Sequence, residues 1–519
     1  MPHSPTDQKN SQDPDPTSKH HGYVISVLVI AISAWPFLSF LGGNRGQFVD
    51  MFVVFYIFAA SLGTLGIICF TIHKLISSVK LRHRLINCCC VFFALLFTYG
   101  AVDNGIKSEF GVERSRFILL AWGAMALVCV GFIWIVTHGR QSTFALAAGA
   151  LAMSITAATD IRLSTMQHTA FETNPNLSKA IESKALPNVY YFIFDAYGRG
   201  DTLEKYLGFD NSAFLNELEN NGFEVLEQSQ SNYPVTFLSL AATMNMGPLF
   251  EPGPEALKDY VGYQRLLAGY NPAVKMFKSL GYTYVHAQPG GWGGTRCQGV
   301  EDICIRAGKE WINETGLAIL AMTPIEIVIR KIAPTLIVFN RTLFPFVAKQ
   351  LSGLIDQIKS PIFSFAHILI PHDRIYDENC DATGNELYFE EASTLDRDAD
   401  YVNTVKCLNK QISENIGLIL EKDPNAIVIF QSDHGFILSP MLSLPVEKWA
   451  PQDIEMRYGI LNVMRVPSRC KEDLYSSMTS FNTFRFIEGC LKGNAPSYID
   501  DISYRAANGQ IAVLPLYPE

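Results

Sequence analysis

The chain has 519 residues, of which 48% are hydrophobic, 12% aromatic and 18% charged, against roughly 25% charged in an average soluble chain. That balance excludes a disordered or fibrous protein and points to a membrane component. The formal net charge of −9 argues against a nucleic-acid partner, which would call for a basic patch or stripe.

Five apolar segments precede residue 160: Gly22–Leu41, Met51–Phe70, Ile86–Ala101, Phe117–Thr137 and Thr143–Thr159. A helix crosses the hydrocarbon core in about 20 residues. The first, second and fourth segments meet that length; the third and fifth are shorter. Five in succession outweigh the alternative of buried soluble helices. A cleaved signal peptide does not fit, because the first segment is long and further spans follow it. Orientation is read from Lys and Arg in short loops. Lys9, Lys19, Lys74, Lys80, Arg82, Arg84 and Arg140 fall on one side, against Arg45, Lys107, Arg114 and Arg116 on the other. The excess predicts a cytoplasmic N-terminus in a cell inner or plasma membrane. With five spans, the chain after residue 160 is then periplasmic or extracellular. The expected plan is a tail over 1–21, a helical transmembrane domain over 22–159, a polar linker over 160–187 and one catalytic domain over 188–519.

Cysteine usage agrees with that plan. Cys69, Cys88, Cys89, Cys90 and Cys129 lie in the apolar segments, where a thiol behaves as a small hydrophobe. The other six lie in the polar part, an even number suited to disulfides in an oxidising compartment. The expected pairs are Cys297–Cys304, Cys380–Cys407 and Cys470–Cys490, although sequence does not fix connectivity. A metal cluster is the runner-up, without any CxxC pair to support it.

From Pro187 onward the chain alternates short apolar runs with helical stretches. Val189–Phe194, Tyr282–His286, Ile362–Leu369 and Ala426–Phe430 are nearly continuously apolar, as in a parallel sheet covered on both faces. Helical patterns cover Asp201–Leu207, Ser212–Asn220 and Tyr401–Leu420, the last with Tyr401, Val405, Leu408, Ile412 and Ile416 on one face. This alternation predicts an α/β domain with a doubly wound, mostly parallel sheet. The segment Leu317–Val347 is apolar but broken by prolines and charges. Packing under this domain is preferred there over lying on the membrane surface.

In open α/β sheets, ligands bind at the carboxyl ends of strands. The first strand delivers Asp195, and the strand ending at Phe430 delivers Gln431-Ser-Asp433-His434-Gly435. The strand Ile362–Leu369 carries His367 and leads to His372. Two carboxylates and an imidazole at one sheet edge suggest a divalent metal. Singly, each has a plainer reading: an Asp after a strand is commonly a cap or turn residue, and His367 could be a satisfied core histidine.

The order of motifs resembles the sulfatase branch of the alkaline phosphatase superfamily. The segments that carry the resemblance are Phe194-Asp-Ala-Tyr-Gly-Arg-Gly-Asp201, Asn232-Tyr-Pro-Val-Thr-Phe-Leu-Ser-Leu240, His367 with Pro371-His372, Ser432-Asp-His-Gly435, Arg457-Tyr-Gly-Ile-Leu-Asn462 and Asn482-Thr-Phe-Arg485. Spans followed by such a domain resemble lipoteichoic acid synthases and lipid A phosphoethanolamine transferases. The resemblance implies that Thr236 is the nucleophile. It also implies that Asp195, Thr236, Asp433 and His434 hold one divalent ion, Mn, Zn or Mg. Those transferases usually carry Glu where this chain has Asp195. His372 and His367 would bind the substrate phosphate or assist the leaving group. Trp292 and Arg296 are the possible counterparts of a head-group-binding Trp and Arg. Arg199 is a candidate cation for the transferring group, with a surface salt bridge as an equal alternative.

Physical chemistry supports the Thr236 assignment independently. A threonine hydroxyl is a poor nucleophile at neutral pH, and metal coordination favours its alkoxide. Thr236 also precedes the helix-like run Phe237–Met244, and a helix N-terminus favours anions; the alternative is a simple N-cap. Two absences narrow the chemistry. Tyr233-Pro-Val-Thr236 lacks the Cys/Ser-x-Pro-x-Arg motif of true sulfatases, which disfavours sulfate-ester hydrolysis. No His follows His434, which favours a single metal. The expected function is transfer of a phospho-alcohol group, phosphoglycerol or phosphoethanolamine, from a membrane phospholipid donor to a surface glycan or glycolipid acceptor. The alternatives are a phosphoric or sulfuric ester hydrolase of the same architecture and a non-catalytic membrane scaffold.

Overall fold

The structure is a computed structural model that describes residues 16–44, 49–110, 115–137, 139–165, 186–249, 260–290, 293–307, 313–332, 342–372, 375–381, 394–438, 441–444, 446–507 and 510–513. Trp292 and most of the expected linker lie outside the described residues. In chain order the helices of the first part are α1 (Pro16–Gly43), α2 (Met51–Leu75), α3 (Val79–Leu96), α4 (Tyr99–Phe110), α5 (Ser115–Val136) and α6 (Arg140–Thr165). There follow α7 (Gly200–Leu207), α8 (Ser212–Asn220), α9 (Thr236–Met244), α10 (Tyr260–Ala268), α11 (Pro272–Ser279), α12 (Glu314–Ala321), α13 (Ile325–Ile332), α14 (Phe344–Ile355), α15 (Thr394–Asn415), α16 (Gly417–Leu420) and α17 (Pro451–Tyr458). The chain forms two compact units. One is helical and comprises Met1–Arg45, Val49–Gln167 and Ile312–Ile337; the other contains the rest.

Among the described residues of the helical unit, four helices are long and apolar enough to cross a membrane: Tyr23–Gly43, Met51–Leu75, Phe117–Val136 and Arg140–Thr159. Four of the five expected apolar segments coincide with these helices, and the third is more polar at its start. Ile86–Ala101 falls mainly in α3, whose first turns carry Lys80, Arg82 and Arg84 and which ends in a turn at Phe97. Charge at one end, not lack of length, keeps α3 out of the apolar set. The helix still runs alongside the others from end to end. At its start, His83 Nδ1 lies 2.9 Å from Thr143 Oγ1, and Arg84 Nε donates to the Thr137 carbonyl at 3.0 Å. At its finish, Phe97 packs with Phe37, Phe40 and Val54.

The segment Leu317–Val347 divides, contrary to the expectation that all of it packs under the α/β domain. Its α12 and α13 belong to the helical unit. Asn313 Nδ2 donates to Asp50 Oδ2 at 2.8 Å, and the Asp50 amide donates to Thr315 Oγ1 at 2.9 Å. Ile319 joins the Phe37–Phe40–Val54–Phe97 cluster. At Gly100 a Cβ would stand 2.6 Å from the Ala321 carbonyl oxygen, so glycine permits this close approach. By contrast, α14 buries Phe344, Val347, Ala348 and Leu351 in the α/β core.

The α/β unit is built on a seven-stranded sheet. Its strands are β1 (Val189–Phe194), β2 (Glu224–Val225), β3 (Thr283–Ala287), β4 (Ile303–Ile305), β5 (Ile362–Ile368), β6 (Ile427–Gln431) and β7 (Asn462–Arg465), in the spatial order β2-β7-β6-β1-β5-β3-β4. β4, β3, β5, β1 and β6 are parallel, and β7 is antiparallel to both β6 and β2. β1 is central and wholly buried. Its odd residues Val189, Tyr191 and Ile193 enter one core, and its even residues Tyr190, Phe192 and Phe194 enter the other. Period-two alternation with both faces covered explains the unbroken apolar run. Burying each such side chain stabilises the fold by about 1.5–3 kcal/mol. The three disulfides Cys297–Cys304, Cys380–Cys407 and Cys470–Cys490 are all formed.

Candidate active site

Parallel pairing sets the site. β1 lies between β5 and β6, so the residues following β1 and β6 emerge side by side. Asp195 turns out of β1 with its amide bonded to the Ile368 carbonyl at 2.9 Å. Asp433 follows β6 and is fixed through one oxygen. Its Oδ1 accepts the amides of His434 at 2.9 Å and Ala196 at 3.1 Å. Ser432 stabilises the same turn by donating to the Phe194 carbonyl at 2.8 Å while accepting the Tyr197 amide at 2.8 Å. Helix α9 is docked on this turn by Ser239 Oγ, which donates to the Asp433 carbonyl at 2.5 Å. Thr236 is the first residue of α9 and sits half-buried, where the helix dipole and free amides favour negative charge.

The side chains converge on His434 Nε2. Thr236 Oγ1 is 3.1 Å from it, Asp433 Oδ2 3.2 Å and Asp195 Oδ1 3.8 Å. His434 Nδ1 lies 3.0 Å from the Gly435 carbonyl, which can only accept, so the neutral imidazole carries its proton there. The lone pair of Nε2 therefore faces Thr236 and the two carboxylates, as in a metal-ligating histidine. Asp195 Oδ1 and Asp433 Oδ2 are buried and accept no hydrogen bond.

Electrostatics fit a cation at this point. Burial and then the charge of Asp195 push the Asp433 carboxyl up. Burial also opposes the charge of Asp195, but the imidazoles of His372, His367 and His434 outweigh it and hold that carboxyl well below the usual range. Burial and then Arg457 keep His434 neutral. Two buried carboxylates this close repel unless a positive charge is shared between them. Oxygen donors with one imidazole suit a small divalent ion. Asp195, Thr236, Asp433 and His434 bring such donors to this point.

His367 lies deeper than a substrate-binding residue is expected to lie. It is fully buried on β5, with Nε2 3.3 Å from Asp195 Oδ2 and Nδ1 2.9 Å from Thr295 Oγ1. A ligand atom each from Asp195, His367 and Asp433 lie within 4.8 Å of one another. His372 is exposed, its amide bonded to the Asp195 carbonyl at 2.9 Å. Arg296 is half-buried, next to the Thr295 that anchors His367. Arg199 forms a salt bridge, the reading weighed above against a role on the transferring group. Its Nε and Nη2 grip both oxygens of Asp201 at 2.7 and 2.8 Å, and Nη1 donates to the Ser229 carbonyl at 3.1 Å. A second grouping, His286, Cys297 and Glu301, is unsuited to a metal because Cys297 is disulfide-bonded.

Sequence reasoning did not assign Arg457 a role. It is 5% exposed at the end of α17. Nε donates to the Pro234 carbonyl at 2.6 Å and Nη1 to the Gly435 carbonyl at 3.2 Å, which aims Nη2 at His434 Nε2, 3.1 Å away. Burial lowers its pKa to about 10, so it remains cationic at neutral pH. Gly435 makes the approach possible: a Cβ there would stand 2.0 Å from the Met456 carbonyl oxygen.

A family model described as Sulfatase matches residues 254–475, a range that includes His367, His372, Asp433, His434 and Arg457 and stops short of Asp195 and Thr236. No match was found among curated proteins. Several solved structures are similar at low identity. The C-terminal periplasmic domain of EcEptC from Escherichia coli, in complex with Zn, is 13% identical, covering 65% of this chain and 96% of that one, with a TM-score of 0.45. The integral membrane protein lipooligosaccharide phosphoethanolamine transferase A from Neisseria meningitidis is 12% identical, covering 90% of this chain and 95% of that one, with a TM-score of 0.42. The lipoteichoic acid synthase LtaP from Listeria monocytogenes is 13% identical, covering 60% and 73%, with a TM-score of 0.36. The Tyr233–Thr236 segment precedes the matched range and puts Thr236 at the head of α9.

Proposed function

We propose that the chain is a membrane-anchored, metal-dependent transferase. It moves a phosphoglycerol- or phosphoethanolamine-type group from a phospholipid to a glycan or glycolipid hydroxyl through a phospho-Thr236 intermediate. The observation that carries this reading is the single point of convergence: a hydroxyl at a helix N-terminus, two buried carboxylates with unpaired oxygens and an imidazole lone pair. Asp195, Thr236, Asp433 and His434 would hold a divalent ion, which would supply Lewis-acid stabilisation of negative charge on oxygen.

In the first half-reaction the Thr236 hydroxyl passes its proton to solvent as its oxygen attacks phosphorus. The bond from phosphorus to the diacylglycerol oxygen breaks, and that oxygen takes a proton from exposed His372. In the second half-reaction an acceptor hydroxyl gives its proton to the now neutral His372 and attacks the same phosphorus. The Thr236 oxygen then leaves and takes a proton from solvent, which restores both residues. Arg457 Nη2 is aimed at the region where phosphoryl charge develops and acts as a fixed donor there.

Membrane topology is consistent with an active site outside the cytoplasm. Lys74, Lys80, Arg82, Arg84 and Arg140 cluster where α2 ends, α3 begins and α6 begins, which marks that end as cytoplasmic. Residues 313–332, which interrupt the α/β unit in sequence, pack at the opposite end against Phe37, Phe40, Val54 and Phe97. That supports a periplasmic or extracellular α/β domain.

The test is intact-protein mass spectrometry after incubation with phospholipid vesicles. A mass increase of the head-group phosphate, mapped to Thr236 and discharged by a glycan acceptor but not by water, supports transfer. Discharge by water alone would make the chain a hydrolase. Unchanged turnover in Thr236→Ala removes the mechanism.

A further inference from the structure

We propose that α13 is an interfacial membrane anchor whose Ile325–Val328–Ile332 stripe sits among the acyl chains of the leaflet bordering the α12–α13 end of the bundle. The helix reads Ile-Glu-Ile-Val-Ile-Arg-Lys-Ile. Helical spacing places positions 325, 328 and 332 on one face and the charged positions 326, 330 and 331 away from its centre. Ile325, Val328 and Ile332 are 44%, 53% and 76% exposed, although all three are large and apolar. Ile327, on another side of the helix, packs on the cluster of Tyr99, Ile118 and Trp122. One side of α13 thus grips the bundle, and the other is left bare.

What covers the bare stripe follows from where α13 is fixed. The Gly100 amide donates to the Met322 carbonyl at 3.1 Å. Asn313 and Thr315 are bonded to Asp50, the residue that caps α2. These contacts hold α12 and α13 at the end of the bundle where α1 finishes and α2 and α5 start. The spans expose their own apolar side chains at that end: Phe52 and Phe55 on α2, and Phe117 and Leu120 on α5. Such residues face lipid in a spanning helix, and the α13 stripe continues the same apolar surface. A short helix with an apolar stripe, flanking charges and exposed Lys331 is suited to the boundary between acyl chains and anionic headgroups. The anchor lies within the sulfatase-matched range 254–475, so a segment of that sequence is given over to holding lipid.

The experiment places a photoreactive benzophenone side chain at position 328 or 332 of the full chain, reconstituted in vesicles of phosphatidylethanolamine and phosphatidylglycerol. Position 219, exposed on α8, serves as the comparison. Illumination is expected to give phospholipid-mass adducts at 328 and 332 at least tenfold above position 219. Crosslinks between two copies of the chain would instead make the stripe a self-association face and overturn the proposal. Adducts no more frequent than at position 219 would overturn it as well. The same lipid adducts are expected in a Thr236→Ala background, so the anchor and the transfer reaction fail or stand separately.

Discussion

Arg457 Nη2 lies 3.1 Å from His434 Nε2, on the same lone pair that faces Thr236. The other guanidinium nitrogens are tied to the Pro234 and Gly435 carbonyls, so the group cannot swing away without breaking two buried hydrogen bonds. When the lone pair is used for a cation, the N–H of Nη2 is released for an oxygen of the transferring phosphoryl group. Arg457→Lys keeps the charge and loses the fork. It is expected to lower kcat about 100- to 1,000-fold, the range for losing one preorganised donor. Bound metal should stay near the wild-type amount. Turnover and metal content measured on one preparation check this; loss of metal in step with activity would assign Arg457 to holding the ligand set instead.

Gly435 is constrained by space. With the Met456 carbonyl 2.0 Å and the Gly459 carbonyl 2.5 Å from an added Cβ, Gly435→Ala must push α17 off the strand-end turn. The expected cost is roughly 3 kcal/mol or more, at or beyond the upper end for overpacking. Arg457 and His434 would move with it. Thermal unfolding of the purified variant checks the stability, and Gly→Ala at Gly281, where nothing lies within 4 Å but φ is +85°, provides a milder comparison.

His286 gives a pH dependence independent of the metal site. Burial lowers its pKa from 6.5 to about 4, so the folded state holds the neutral ring. A group with a depressed cationic pKa destabilises the fold once the unfolded chain can protonate. The stability is complete above about pH 6.5 and falls as pH drops toward 4, by about 3 kcal/mol in all. His286→Phe preserves the ring packed against Phe365 and removes this slope. The difference in Tm between wild type and variant should therefore change sharply between pH 6.5 and 4 and stay constant above pH 7.

Much of the framework was legible in sequence because central parallel strands are buried on both faces. Val189–Phe194 reads as an uninterrupted apolar run, and the residues after it and after Phe430 fall at the sheet edge by topology. Tyr282–His286 and Ala426–Phe430 were each displaced by one residue from the observed β3 and β6, where a flanking residue joins the ladder. The predicted helix Tyr401–Leu420 is broken at Ile416, and β2, β4 and β7 are too short to leave a pattern. Arg457 was hidden for a different reason. Nothing local distinguishes an arginine that reaches Pro234, over two hundred positions upstream, from one on the surface. The α12–α13 segment misled through its charges and Pro324, which read as soluble-domain punctuation, whereas its partners are Asp50, Phe97 and Gly100 of the helical unit.

The central claim is that one cation is shared by the hydroxyl of Thr236, the carboxylates of Asp195 and Asp433 and the imidazole of His434. Anomalous diffraction from crystals of the metal-loaded protein tests it most directly. The account predicts one strong peak in this cluster at about 2.0–2.2 Å from ligand atoms of all four residues, the range for a zinc-type site. A peak located elsewhere, or a fully metal-loaded, active protein with no density among these side chains, would contradict it.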